Sequence, residues 1–494
     1  MTRTALPFDN SYARLPERFF SRQAPEPVSS PTPIAVNRQL ALDLGLDPDW
    51  LESADGTAML AGNSIVDGAD PIATVYAGHQ FGNWNPQLGD GRAVLLGEVI
   101  GTDGKRYDVQ LKGSGRTPYS RGGDGRAPLG PVLREYIISE AMFTLGIPTT
   151  RSLAAVSTGD TVYRDSALPG AVLARVARSH IRIGTFQFFA SRQDGEALQL
   201  LVDHVIGRQL PQLEQADNRA LALLHSVVSA QASLIAHWQL VGFIHGVMNT
   251  DNVLLSGETI DYGPCAFMDN FNPEQVYSSI DQNGRYAYRN QPGIGHWNLS
   301  CLAQTLIPLL HPDQEQAVGL AQEAIDRFPD LFLASHNSGM GRKLGITLHG
   351  EDDETLVQDL LAVMAETGAD FTLTFRSLTD LANRGENART SIADIYTLPQ
   401  AFTPWLERWQ ARLALEADNG ATKRAAMYDV NPVYIARNHL VEEAIDTATR
   451  DGDFAPFHTL LARLAKPFDF DSNHAAAALP PAPEQVVQKT FCGT

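Results

Sequence analysis

Cysteine is scarce, with three in 494 residues. So few in so long a chain argue against a disulfide-built secreted fold and make a reducing cytoplasm the expected compartment. Long apolar runs are missing as well. No stretch approaches the roughly 18 residues that a membrane-spanning helix requires, and the opening MTRTALPFDNSYARLP lacks the apolar core of a secretory signal. The expectation is a soluble protein with no membrane partner. Positive charge is the third shortage. With 38 Lys and Arg against 57 Asp and Glu, the formal net charge is -19 and the pI about 5.1. Broad contact with a nucleic-acid backbone is therefore not expected, and any anion must be held by local clusters of Arg and Lys. What is present is ordinary for a globular chain, 44% hydrophobic and 19% charged, and long enough for two or three domains or one large two-lobed enzyme.

The first third alternates β-rich segments with glycine loops. GRAVLLGEVI (91–100) and RYDVQLKG (106–113) read as two strands joined by the turn TDGK. PVLREYIISEAMFTLG (131–146) reads as a helix opened by Pro131, striped by Leu133, Tyr136, Ile137, Ala141 and Leu145, and closed by Gly146. RSLAAVST and AVLARVAR return to strand character. From Asn218 a long helix is marked by Leu221, Leu224, Val228, Ile235 and Trp238. NVLLSGETIDYG reads as two short strands around Ser256-Gly257, residues 297 to 466 are mainly helical patterns, and the Ala/Pro-rich tail is expected to be loosely held. Cys301 falls on an apolar helix and reads as core. With Lys112 ending the second strand, Glu135 in the helix that follows and a catalytic-type loop at 245–252, this order predicts an α+β chain with a bilobal, protein-kinase-like fold. Residues 1–190 would form a β-rich N-lobe with nucleotide-binding loops and 191–310 a helical C-lobe core carrying the catalytic and metal loops. Residues 311–470 would form a helical C-terminal extension and 471–494 a flexible tail.

One further absence is local. HGVMNTDN (245–252) matches the loop that in protein kinases reads His-Arg-Asp, four residues, Asn, except that Val247 stands where the Asp belongs. Valine neither accepts a proton nor orients a hydroxyl. Asn252 is in place, and Asp251 beside it is the available substitute, although a cation nearby would lower its pKa and leave positioning as its larger contribution. Asp261 opens DYG nine residues after Asn252; an amide oxygen and a carboxylate suit Mg²⁺, which binds through few protein groups plus phosphate. Lys112, ending VQLK, and Glu135, in the next helix, match a phosphate-binding lysine and the glutamate that aims it, though alone they also suit an exposed surface pair. Gly89, Gly91 and Arg92 precede that lysine and GSGRTPYSRGGDGR follows it, so backbone N–H groups are available to phosphate oxygens, while hairpin turns explain such glycines equally. Asp124 and Gly125 lie between Arg121 and Arg126 in a small cationic island. Arg175 and Arg182, in LARVARSHIR, offer two guanidiniums for a polyphosphate; Arg178 and His180 make a solvated basic edge an alternative.

Taken in order, VQLKGSG, GGDGR, LREY, HGVMNTDN, IDYGPC and NPVYIARNHL resemble the selenoprotein O family of kinase-fold proteins across nearly the whole chain. The resemblance implies an adenylyltransferase that moves AMP from ATP to Ser, Thr or Tyr hydroxyls of proteins, with its own chain as a candidate acceptor, ATP reversed relative to kinases and Mg²⁺ or Mn²⁺ as cofactor. It makes Lys112 a phosphate ligand held by Glu135, Asp251 the base, and Asn252 and Asp261 the metal ligands. Gly89, Gly91, Arg92, Asp124, Gly125, Arg175 and Arg182 would line the nucleotide site. Some family members carry selenocysteine near the C-terminus where this chain has Cys492, and the resemblance suggests a regulatory Cys265–Cys492 disulfide. A monomer is expected. Two other functions stay open on the sequence: ordinary phosphotransfer with Asp251 as the stand-in base, and a nucleotide-binding scaffold without catalysis.

Overall fold

The computed structural model describes residues 6–383, 389–416 and 420–491. Its first part is built on one antiparallel sheet of nine strands. The strands are β1 (Phe20–Arg22), β2 (Thr32–Val36), β3 (Ile72–Gln80), β4 (Asn83–Gly89), β5 (Ala93–Ile100), β6 (Arg106–Lys112), β7 (Ala127–Pro128), β8 (Arg151–Tyr163) and β9 (Ala167–Ala177). They run in the order β1-β3-β5-β6-β9-β8-β2, with β4 paired to β3 and β7 to β9. Helices α1 (Arg38–Asp43), α2 (Pro48–Glu52) and α3 (Ala54–Leu60) follow β2, and α4 (Leu129–Thr144) follows β7.

The central strands are covered on both sides, which explains why their sequences read as nearly continuous apolar runs. Leu96, Val109, Leu111, Val172, Ala174 and Val176 pack with Leu40, Leu51 and Leu60 of α1–α3. Leu95, Ala171 and Leu173 pack with Leu133 and Ile137 of α4 on the opposite face. Because strand side chains alternate, the pairing of Gln110 with Arg175 and of Lys112 with Leu173 puts Lys112 and Arg175 on the α4 face together. The expected strands at 91–100 and 106–113 are thus β5 and β6. The expected helix begins two residues earlier than Pro131 and is closed as Gly146 suggested: Gly146 N–H bonds Phe143 O, Ile147 N–H bonds Met142 O, and Gly146 takes φ 77.

From residue 183 onward the chain is mostly helical: α5 (Ile183–Ala190), α6 (Gly195–Gln209), α7 (Arg219–Leu240), α8 (Gln291–Leu310), α9 (Gln314–Asp326), α10 (Phe328–Leu344), α11 (Gly350–Thr367), α12 (Phe371–Ala382), α13 (Thr403–Ala414), α14 (Gly420–Ala426), α15 (Asn438–Asp451) and α16 (Ala455–Leu464). A two-stranded sheet pairs β10 (Phe243–Ile244) with β11 (Ala266–Phe267). Asn218 caps α7 by accepting from Leu221 N–H at 3.0 Å. Among the described residues α7 alone is long and apolar enough to cross a membrane, but here its apolar side is buried against α8 and α10. Cys301 is buried on α8.

One expectation is corrected. NVLLSGETIDYG does not fold back on itself as a strand pair; Leu254 bridges to Arg182 and Thr259 to Thr149, so each side of the Gly257 turn finds its partner in the first part of the chain. Helices α15 and α16 pack on α4. Arg134 of α4 donates to the Cys265 carbonyl at 3.1 Å and to Asn438 of α15 at 2.8 Å, and pairs with Glu442.

Candidate active site

β6, α4, β9 and the segment after β10 converge on a cleft of about 1040 Å³. Gly89, Gly91, Arg92, Lys112, Asp124, Gly125, Arg175, Arg182, Asp251, Asn252 and Asp261 all line it. Glu135 stands behind them, joined to the cleft through Lys112.

The centre of the charge arrangement is Asp261. Lys112 Nζ lies 2.9 Å from its Oδ1 and 2.5 Å from Glu135 Oε2. Arg175 Nη1 bridges the same two carboxylates, at 3.2 Å and 3.1 Å, while its Nε donates to Gln110 at 2.8 Å. Arg182 Nη1 reaches Asp261 Oδ2 at 3.1 Å and the Asp251 carbonyl at 2.5 Å, with its guanidinium over the Tyr76 ring at 4.7 Å. Burial by itself would raise the Asp261 pKa, yet Lys112, Arg175 and Arg182 outweigh it and hold the carboxyl well below the usual range. Glu135 is likewise lowered against burial by Lys112 and Arg175. Asp261 sits at φ 65, a left-handed conformation that a non-glycine residue rarely adopts.

Asp251 is different in kind. It lies on a single 3₁₀ turn, Thr250–Asn252, and is 7% exposed. Its Oδ2 accepts from Gln80 Nε2 at 3.1 Å, whereas its Oδ1 is buried with no hydrogen-bond partner among the described residues. Burial pushes the carboxyl up to about 6, against Arg182 and the Gln80 bond. From sequence a weakened base was expected at this position; desolvation works in the other direction. Val247 is buried, and His245 is structural, with Nε2 at 2.9 Å from the Ile260 carbonyl.

Asn252 donates its amide N–H to the Val247 carbonyl at 3.0 Å, leaving its oxygen as the group available to a cation. Among the described residues no cluster of three or more His, Cys, Asp or Glu side chains could hold a metal. Asn252 and Asp261 offer two hard oxygen donors, a set that suits a cation arriving with phosphate oxygens of its own.

The glycine loops are explained mainly by close packing. A Cβ on Gly89, which takes φ 152, would stand 2.4 Å from the Tyr119 ring, and one on Gly125 would stand 2.0 Å from the Gly115 carbonyl. The cationic island is rearranged. Asp124 is held by Arg164 through two bonds of 2.8 Å and 3.0 Å, while Arg126 turns its guanidinium to the Glu26 and Pro27 carbonyls. Arg121 remains on the cleft wall. His180 is buried against Asp108 at 3.0 Å, which removes it from the basic edge imagined for LARVARSHIR.

Cys265 is buried, and its Sγ lies 3.2 Å from the Tyr262 carbonyl. Cys492, and with it the Cys265–Cys492 pairing, lies outside the described residues. The described tail ends nearby: Thr490 bridges to Ser278 and donates to the Pro264 carbonyl at 2.5 Å, and Phe491 lines the cleft. Sequence reasoning missed Arg164, Tyr76 and Gln80. The glycine-flanked stretch GHQFG (78–82) was the available signal for the last of these.

Three cations gathered on one partly buried aspartate, beside a carboxylate with an oxygen unpartnered among the described residues, fit a cleft of the phosphate-handling, group-transferring class. Residues 2–465 match the family model described as protein adenylyltransferase SelO, and the chain belongs to that family. It is 57% identical over 490 residues to a protein nucleotidyltransferase YdiU of Bradyrhizobium diazoefficiens, covering 99% of each chain. A relative of the same name from Rhodopseudomonas palustris is 57% identical over 488 residues, 99% of each chain. Another from Rhizobium meliloti is 55% identical over 491 residues, 99% of this chain and 100% of the relative.

Proposed function

We propose that the protein is a protein adenylyltransferase that moves AMP from ATP to Ser, Thr or Tyr hydroxyls of protein substrates, its own chain included, and releases pyrophosphate. The observation that carries this reading is Asp251, a carboxylate with one oxygen unpartnered among the described residues, on the wall of the cleft that holds Lys112, Arg175 and Arg182. The acceptor oxygen attacks the α-phosphorus, the bond to the bridging oxygen breaks, and the hydroxyl proton passes to Asp251. Charge then accumulates on the departing pyrophosphate. Lys112, Arg175 and Arg182 face that charge, which supports an ATP reversed relative to kinases, with its β- and γ-phosphates toward Asp261. Asn252 and Asp261 would hold Mg²⁺ or Mn²⁺, which would supply Lewis-acid neutralisation of the phosphates.

The β-rich first part and the helical remainder, meeting at this cleft, support the bilobal kinase-like arrangement with its N-lobe, C-lobe core, helical extension and tail. A cytoplasmic monomer is part of the same proposal.

Incubation of the protein and an acceptor with ATP labelled at either the α- or the γ-phosphate tests the reading. Protein-bound label from the α position alone is expected. Label from the γ position alone would make the protein a phosphotransferase, and label from neither would leave a nucleotide-binding scaffold.

A further inference from the structure

The β3–β4 hairpin reaches the catalytic turn, although the two are far apart in sequence. Three consecutive hairpin residues dock on three consecutive turn residues. His79 N–H donates to Thr250 Oγ1 at 2.7 Å, Gln80 Nε2 to Asp251 Oδ2 at 3.1 Å, and Phe81 N–H to Asn249 Oδ1 at 2.9 Å. Phe81 takes φ 52 and Gly82 φ 83, which closes the tight reversal that brings the Gln80 amide over the turn. Asn249 is itself fixed by the Tyr286 hydroxyl at 2.7 Å, and the Tyr286 ring packs on Phe81 at 5.0 Å. Gly78 completes the contact from the other side of the carboxylate. A Cβ there would come within 2.6 Å of Asp251 Oδ1, so the hairpin backbone lies directly against the carboxylate, at a distance only glycine permits.

We infer that Gln80 is a positioning residue: its amide fixes Asp251 Oδ2 so that the carboxylate faces the acceptor hydroxyl in one orientation. This rests on Asp251 being the base of the proposed reaction. The chemistry of the position fits the role. A neutral amide orients a carboxylate without cancelling its charge, which a lysine or arginine would do. Among the described residues Gln80 is the one side chain that bonds this carboxylate, which stands on a single 3₁₀ turn, and small misplacements of a reacting group lower rates by up to about 100-fold.

The test uses the full chain and α-labelled ATP, with kcat, ATP affinity and melting temperature measured for each variant. Gln80→Leu is expected to lower kcat by roughly 10- to 100-fold, with ATP affinity unchanged and the melting temperature lowered by no more than a few degrees, since Asp251 Oδ2 loses its side-chain partner. In an Asp251→Asn background the same change is expected to cause no further loss, because a residue acting through Asp251 is not additive with it. Wild-type kcat in Gln80→Leu, or an equal further loss in the Asp251→Asn background, overturns the inference. Should Gln80→Leu not fold, Gly78→Ala displaces the same carboxylate and is expected to give the same kcat loss at unchanged ATP affinity; wild-type kcat there overturns the inference equally. Full activity in Asp251→Asn alone would instead overturn the assignment of the base.

Discussion

Two regions of one cleft treat charge in opposite ways. Around Asp261 every carboxylate oxygen meets a cation, through Lys112, Arg175 and Arg182, and Glu135 closes the network from behind. In the same cleft, Asp251 is buried with, among the described residues, one oxygen unpartnered and the other bonded by the neutral Gln80 amide. Paired buried charges hold shape, since removing one partner leaves the others desolvated. An unpartnered buried carboxylate holds nothing together, costs stability, and is retained where chemistry needs it. In the proposed reaction the first region meets the anion and the second takes the proton.

The largest separation is expected at Asp251. Asp251→Asn should lower adenylyl transfer by about 10²- to 10⁴-fold, the usual contribution of a general base. ATP affinity should be retained and the melting temperature unchanged or raised, read by calorimetry and nucleotide titration. A lowered melting temperature would break the contrast between the two regions. Asp261→Ala should also abolish transfer, but with a loss of up to about 3–5 kcal/mol of stability, because the buried Arg175 and Arg182 and the partly buried Lys112 lose their shared partner; chemical denaturation reads this.

The same contrast decides what was legible in the sequence. Lys112, Glu135, Arg175, Asn252 and Asp261 could be found because each falls at a defined place on a strand, helix or loop whose pattern is local. The strand period alone places Lys112 and Arg175 on one face once β6 and β9 are paired. Asp251 was found by elimination, as the carboxylate nearest the missing base. Gln80 was not, because its contact with Asp251 spans 171 positions and leaves no periodic trace. Arg164 escaped for the same reason: Asp124 had two arginines beside it in sequence, and folding paired it with a third. The strand pair predicted around Ser256-Gly257 failed because local turn chemistry cannot say that both arms are bridged elsewhere.

Smaller effects sharpen the picture at its edges. Arg164→Ala releases Asp124 from a partly exposed pair, so a loss of ATP affinity of only a few-fold is expected, with kcat little changed. Lys343 is a control outside the cleft, a buried ammonium 4.1 Å from the Phe375 ring that burial pushes down to about 7. The unfolded chain keeps that proton up to about pH 10.5, the folded one releases it near 7, so this group makes stability rise between those values. Lys343→Met should raise the melting temperature at pH 7 by a few degrees and flatten the alkaline rise, leaving adenylyl transfer at the wild-type level.

The most direct measurement is the intact mass of an acceptor protein after incubation with unlabelled ATP and Mg²⁺, using wild type and Asp251→Asn in parallel. The wild type is predicted to add the mass of an adenylyl group and the variant to add none. Addition of a phosphoryl mass by the wild type, or of an adenylyl mass by both proteins at equal rates, would contradict the account.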